Sequence, residues 1–213
     1  MAAYQDTPLD ALPAAQYRVI YADPPWKFSA GKNKNPSRHY RTMPLPEIAA
    51  LPVGRLAHPE GCRLLMWVTP PIMFLKFGPR EVAASWGFTR YSTLRTWAKL
   101  YTKRDGLFIY NDSISRGPGF ESTGDAEFLA IFKRGKPERI KGGVPRGLFF
   151  GSRREHSRKP DFIRDQIRDL FQGPRIELFT RVDSAGWDNW GDQVDRFQPA
   201  VSCGDMECLS KAP

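Results

Sequence analysis

A single α/β domain is predicted, on three observations. Short runs rich in β-branched and aromatic residues, at Tyr17 to Ala22, Arg63 to Thr69, Thr89 to Trp97, Ala126 to Phe132 and Arg175 to Arg181, have the length and composition of buried strands. Segments with helical apolar spacing lie between several of them, so that β and α patterns alternate from Arg18 to Phe179. The chain has 213 residues, enough for one well-buried domain and too few for two comfortable ones. At 41% hydrophobic and 13% aromatic it is not the composition of a disordered chain. The expected boundaries are an irregular Ala- and Pro-rich lead-in over 1–16, the domain over 17–197 and a flexible polar tail over 198–213.

The first strand, Tyr17 to Ala22, runs into Asp23, Pro24, Pro25 and Trp26. Two consecutive prolines fix φ at about −65° and remove two backbone donors, which leaves the neighbouring carbonyls to accept hydrogen bonds from another partner. A carboxylate beside such carbonyls suits an exocyclic amino group of a nucleobase. If Asp23 and the Pro24 carbonyl accept its two hydrogens, the nitrogen is held with its lone pair aimed at an electrophilic methyl group, and Trp26 stacks on the base. The plainer alternative is a strand-ending turn with an Asp cap and a core Trp.

Lys27 to Tyr40 is polar and basic with several flexible residues, the pattern of a long surface loop, with Tyr40 on the plain reading packing the loop down. Pro44 to Leu51 reads as a helix with proline in its first turn. Arg63 to Thr69 is a second buried strand stopped by Pro70 and Pro71, and Ile72 to Trp86 is helical with an interruption near Gly78-Pro79. Trp97, in the next strand, is expected in the core. Lys99 to Thr123, carrying Lys103, Arg104 and Arg116 with Gly117, Pro118 and Gly119, is read as a loop. Lys133 to Lys159 holds ten Lys or Arg against two acids, with Phe149 and Phe150 and several glycines interleaved. Its cations, Lys133, Arg153, Arg154 and Arg158 among them, are candidates for phosphate contacts, the alternative being a solvated hairpin with two core Phe. Phe162, Ile163, Ile167, Leu170 and Phe171 then share one face of a helix opened by Pro160 and ended by Gly173.

The formal net charge of +9 favours a polyanionic partner. Three cysteines at Cys62, Cys203 and Cys208 form neither a disulfide framework nor a strong zinc spacing, and no metal is expected. The N-terminus lacks a basic flank followed by an apolar core, and no apolar run is long enough to span a bilayer, so a cytoplasmic protein is expected. The absence of a Gly-x-Gly-x-x-Gly fingerprint disfavours a nicotinamide enzyme.

Asp23-Pro24-Pro25-Trp26, Trp67-Val68-Thr69, Lys159-Pro160-Asp161 and Ile176-Glu177-Leu178-Phe179-Thr180-Arg181 together resemble the MT-A-seventy-like N6-adenine methyltransferases, over residues 17 to 197. The resemblance implies a Rossmann-like, S-adenosylmethionine-dependent fold with a mostly parallel sheet, helices on both faces and permuted motif order. It implies adenine N6 methylation, with Asp23, Pro24, Pro25 and Trp26 as the catalytic element. The donor site would comprise Asp23, Lys159, Glu177, Leu178, Phe179, Arg181, Asp192 and Gln193, with Arg181 alternatively a surface salt bridge. The family has Gly-Asn-Gln or Gly-Asn-Glu where this chain has Gly191-Asp192-Gln193; Asp offers acceptors only, so a contact using the amide's donor is lost. The substrate side would comprise Trp26, Tyr40, Arg116, Lys133, Arg153, Arg154 and Arg158. A DNA methyltransferase of phage or bacterial type is the expectation, with an RNA adenosine methyltransferase, or a non-catalytic nucleic-acid-binding subunit, as alternatives; monomer and heterodimer stay equally open.

Overall fold

A computed structural model of the chain describes residues 3–4, 7–28, 42–101, 113–117, 123–140, 142–153, 155 and 158–192. Among the described residues eight strands form one sheet: β1 Ala3–Tyr4, β2 Val19–Ala22, β3 Gly61–Val68, β4 Arg90–Leu100, β5 Ala126–Gly135, β6 Leu148–Ser152, β7 Arg175–Leu178 and β8 Asp188–Trp190. Their order across the sheet is β1-β8-β7-β2-β3-β5-β4-β6. Only β5 runs against its neighbours; every other pairing is parallel.

A largely parallel sheet must be covered on both faces, and its strands therefore read as continuous apolar runs. β2 and β3 are buried at every position. Successive side chains alternate between the faces. Ile20, Ala22, Leu64, Met66, Ile176 and Leu178 join a core completed by α1 (Leu45–Ala50), α2 (Pro70–Met73) and α3 (Pro79–Ser85), through Ile48, Ile72, Val82 and Trp86. Val19, Tyr21, Leu65, Trp67, Leu129 and Ile131 point the other way, onto α4 (Phe162–Leu170), through Ile163, Ile167 and Phe171. Phe149 and Trp97 lie in this second core, as the hairpin reading of Phe149 and the core reading of Trp97 require, whereas Phe150 is exposed. Among the described residues no helix is long and apolar enough to cross a membrane.

Two described parts of the expected irregular lead-in join the fold. Ala3–Tyr4 pairs with β8 as an edge strand, and Leu9 and Leu12 are buried in the first core. The tail over 198–213 lies outside the described residues.

The chain leaves β2 in one direction, through α1 to β3 on one face, and returns to its other side through α4 to β7 on the opposite face. In open α/β sheets a reversal of this kind is the place of the ligand crevice, at the C-terminal ends of the two central strands, where helix coverage splits. In the β2–β7 register Ala22 faces Leu178, so Asp23 and Phe179 are the first residues beyond the sheet at that point.

Helix α4 is locked to β7 by a buried ion pair. Arg164 Nε and Nη2 donate to the two Glu177 carboxylate oxygens at 2.6 and 2.7 Å. A bidentate pair with little exposure on either side leaves an uncompensated charge if one partner is removed. Arg164→Leu is expected to lower the unfolding free energy by about 3–5 kcal/mol, and Arg164→Leu with Glu177→Leu by much less, in urea denaturation followed by circular dichroism.

Candidate active site at the strand ends

Asp23 continues the alternation of Val19 and Tyr21 and so emerges on the α4 side of the sheet. Its backbone N–H donates to the Leu178 carbonyl at 3.3 Å, carrying the β2–β7 ladder one residue past the strands. Lys159 Nζ donates to Asp23 Oδ2 at 2.8 Å, and an Arg181 Nη2 lies 3.7 Å from the same oxygen. Asp23 Oδ1 has no partner among the described residues. The carboxylate is thus anchored through one oxygen and presents the other, with its side chain 18% exposed.

Lys159 arrives there because the turn before α4 is clamped. Asp161 accepts from Arg158 Nη2 and from Arg164 Nη1, both at 3.0 Å, while Arg158 Nη1 reaches Glu155. This fixes the backbone on either side of Lys159, whose side chain is buried between Asp23 and Glu127. Glu127, the second residue of β5, has Oε2 at 3.2 Å from Lys159 Nζ and Oε1 at 2.7 Å from Lys99 Nζ on β4. The result is a chain of alternating charge, Lys99, Glu127, Lys159, Asp23 and Arg181, drawn from β4, β5, the α4 approach, β2 and the end of β7. Burial alone would raise the Glu127 carboxyl, but Lys159 and Lys99 outweigh it and hold it down at about 2. Burial likewise disfavours the Lys159 ammonium, yet Asp23 and Glu127 prevail and keep it above its ordinary value.

The proline element differs in detail from a pair of idle carbonyls. Pro24 O accepts from Trp26 N at 2.8 Å in a three-residue turn, and Pro25 O accepts from Met43 N at 2.8 Å. A carbonyl has two lone pairs, so Pro24 retains capacity for one more donor. The stacking role expected of Trp26 is corrected: its indole is 3% exposed in the first core, with Nε1 donating to the Trp67 carbonyl at 2.9 Å. Trp26 instead ties the proline turn to the end of β3.

Other expected site residues also separate into two groups. Glu177 has both oxygens occupied by Arg164, and Leu178 is fully buried with its carbonyl on Asp23, so neither side chain is presented to a donor. Arg158 is not a phosphate contact either; it is buried and ion-paired to Glu155 and Asp161. Lys133 pairs with Arg63 at the opposite end of the sheet, five residues along β3 from Val68, or roughly 16 Å at the usual rise of a strand. By contrast, Phe179 and Arg181 flank the crevice. Phe179 adopts φ 60°, an uncommon conformation for a side chain of that bulk, with its ring against Trp190. Gly191 passes so close to the backbone at the end of β7 that a Cβ would stand 2.6 Å from the Thr180 carbonyl oxygen, and Asp192 beyond it is exposed. Arg116 and Arg153 are exposed on the segments adjoining the Leu100 end of β4, the same end of the sheet as Asp23. Tyr40, Arg154 and Gln193 lie outside the described residues.

Sequence reasoning missed Glu127, Lys99 and Arg164. The available signal was an acid inside an otherwise apolar strand, Ala126-Glu-Phe-Leu-Ala-Ile-Phe132. Because the folded-state pKa of Glu127 is depressed below its ordinary 4.5, its stabilising contribution is complete above that value and is lost as pH falls toward about 2. The stability gap between the native chain and Glu127→Gln should therefore be constant above about pH 5.5 and narrow on acidification below 4.5, as read from urea midpoints across pH.

With this geometry in place, comparison with known proteins gives a consistent picture. The MT-A70 family model matches residues 17–193. The type II methyltransferase M.MunI of Mycoplasma sp. is 32% identical over 204 residues, which cover 86% of this chain and 80% of that protein. The human N(6)-adenine-specific methyltransferase METTL4 is 29% identical over 87% of this chain and 40% of its own length. The N6-methyladenosine RNA methyltransferase MTA1 of Cryphonectria parasitica is 28% identical over 88% of this chain and 54% of its own. The chain thus spans about half or less of these last two relatives. Matched from the strand before Asp23 to the end of the sheet's last strand, it belongs to the MT-A70 family of methyltransferases.

Proposed function

We propose that the chain transfers a methyl group from S-adenosylmethionine to the N6 amino group of adenine in DNA. The observation that carries this reading is the Asp23 carboxylate at the strand ends, anchored by cations through Oδ2 while Oδ1 has no partner among the described residues. Oδ1 and the remaining lone pair of the Pro24 carbonyl accept the two amino hydrogens, which turns the nitrogen lone pair out of conjugation with the ring. Asp23 need not act as a strong base, since the amine becomes acidic once alkylated and its proton passes to water.

The crevice fits a zwitterionic donor. Lys159 and Arg181 both stand at the Asp23 carboxylate, at the strand ends where a donor carboxylate would lie. At Gly191 the backbone packs directly on Thr180 with no space for a side chain, which fixes the chain beside Arg181 at the end of β7. When bound, the donor supplies a methyl group made electrophilic by its sulfonium. Lys159 and Arg181 hold its carboxylate or hydroxyls, and Phe179 walls the crevice. Arg116 and Arg153 contribute phosphate contacts on the same rim. Similarity to the type II methyltransferase M.MunI over 80% of that protein favours DNA; the N6-methyladenosine RNA methyltransferase MTA1 keeps RNA as the second reading.

Incubation with label-bearing donor and, in parallel, duplex DNA, single-stranded DNA and RNA pools tests both. Label is expected on N6 of adenine in DNA, with Asp23→Ala lowering the rate on the order of 10²-fold or more. Label on RNA alone would transfer the reading to the second substrate. Label on cytosine or on protein, or undiminished activity in Asp23→Ala, would overturn it.

A further inference from the structure

The Asp23 carboxylate is oriented by Lys159, and Lys159 is in turn held from behind. Its ammonium is met by Asp23 from the end of β2 at 2.8 Å and by Glu127 from β5 at 3.2 Å, with Arg181 beyond Asp23 and the Trp67 ring of β3 centred 5.5 Å away. Glu127 is itself gripped on its other oxygen by Lys99 from β4 at 2.7 Å, so it cannot swing toward the crevice without breaking the shorter contact. We propose that Glu127 is a positioning residue of the methyl-transfer site, a fixed counter-charge that keeps the buried Lys159 ammonium in place between Asp23 and the donor.

The physical reason is the change that ligand entry imposes. Lys159 keeps Asp23 Oδ2 while Oδ1 takes the amino group, and a carboxylate shared in this way compensates the buried ammonium less than one that serves it alone. Glu127 supplies a second negative charge that takes no part in substrate contact, so Lys159 stays charged while Asp23 works. Lys99 then neutralises the remainder and keeps Glu127 from competing with the donor carboxylate for the crevice. The positioning role rests on the methyl-transfer reading; the electrostatic dependence of Lys159 on Glu127 does not.

That dependence is measurable in the donor-free chain by NMR titration of the lysine Cε resonances, with Lys159→Arg used to assign the signal. In the native chain Lys159 should titrate above 10.5. In Glu127→Gln its midpoint should fall by about 1–3 pH units, and in Glu127→Asp, which keeps the charge on a shorter stem, by less. Lys99→Met removes a like charge and should leave the Lys159 midpoint level or higher, which a general loosening of the fold would not produce. With donor and DNA, Glu127→Gln should acquire an alkaline fall in rate that the native enzyme lacks below about pH 10. An unchanged Lys159 midpoint in both Glu127 variants, or an equal drop in Lys99→Met, would overturn the proposal. A native chain that failed to methylate DNA while showing the expected titrations would count against the proposed substrate and leave the electrostatic coupling standing.

Discussion

The ion pair between Lys159 and Asp23 joins residues 136 positions apart and closes the sheet's two halves over one point. One partner hangs from the end of β2, the other from the turn before α4, and their meeting requires that α4 lie against β2 and β7 in one register only. The register is enforced by a second ionic system, in which Arg158 and Arg164 share Asp161 and Arg164 takes both oxygens of Glu177. Structural and candidate catalytic charges are thereby divided between neighbouring layers, the first fixing the backbone and the second presenting side chains to the crevice.

Burying this much charge is costly unless every ion has a partner, because transfer of an isolated carboxylate or ammonium from water costs several kcal/mol even after relaxation. The sharing pattern answers that constraint. Glu127 meets two lysines, Lys159 meets two carboxylates, and Asp23 meets a lysine and an arginine on a single oxygen. Electrostatic preorganisation of this kind is the ordinary means by which a site holds charge where a reaction needs it, since the groups do not reorganise during the reaction.

Aromatic residues supply the scaffold around the ions. Trp67 donates to the Tyr21 hydroxyl at 2.5 Å, lies edge-on to Trp97 and Phe149, and offers its face to Lys159. Trp26 spans from the proline turn to the Trp67 carbonyl. Large side chains with one polar edge suit the border between core and site, because they fill volume while satisfying a backbone group that would otherwise be buried unpaired. This explains why a tryptophan that follows the proline element serves the wall of the site and not its face.

Strands β2, β3, β4, β5 and β7, the helices, and the places of Asp23 and Arg181 at strand ends and of Lys159 before α4 were legible in the sequence, because apolar period and proline or glycine punctuation are local properties carried by neighbouring residues; the short strands β1, β6 and β8 carry too little of that pattern and were not. So was the family, since its motifs are contiguous. What the sequence left open were matters of which ion meets which. Glu177 and Arg158 looked like ligand contacts and proved to be internal partners, Lys133 belonged to the far end of the sheet once β5 turned antiparallel, and Glu127 drew no notice until three other elements packed around it. A charged side chain carries no local sign of its partner; burial and pairing are decided only when strand order and register bring distant segments within a few ångströms.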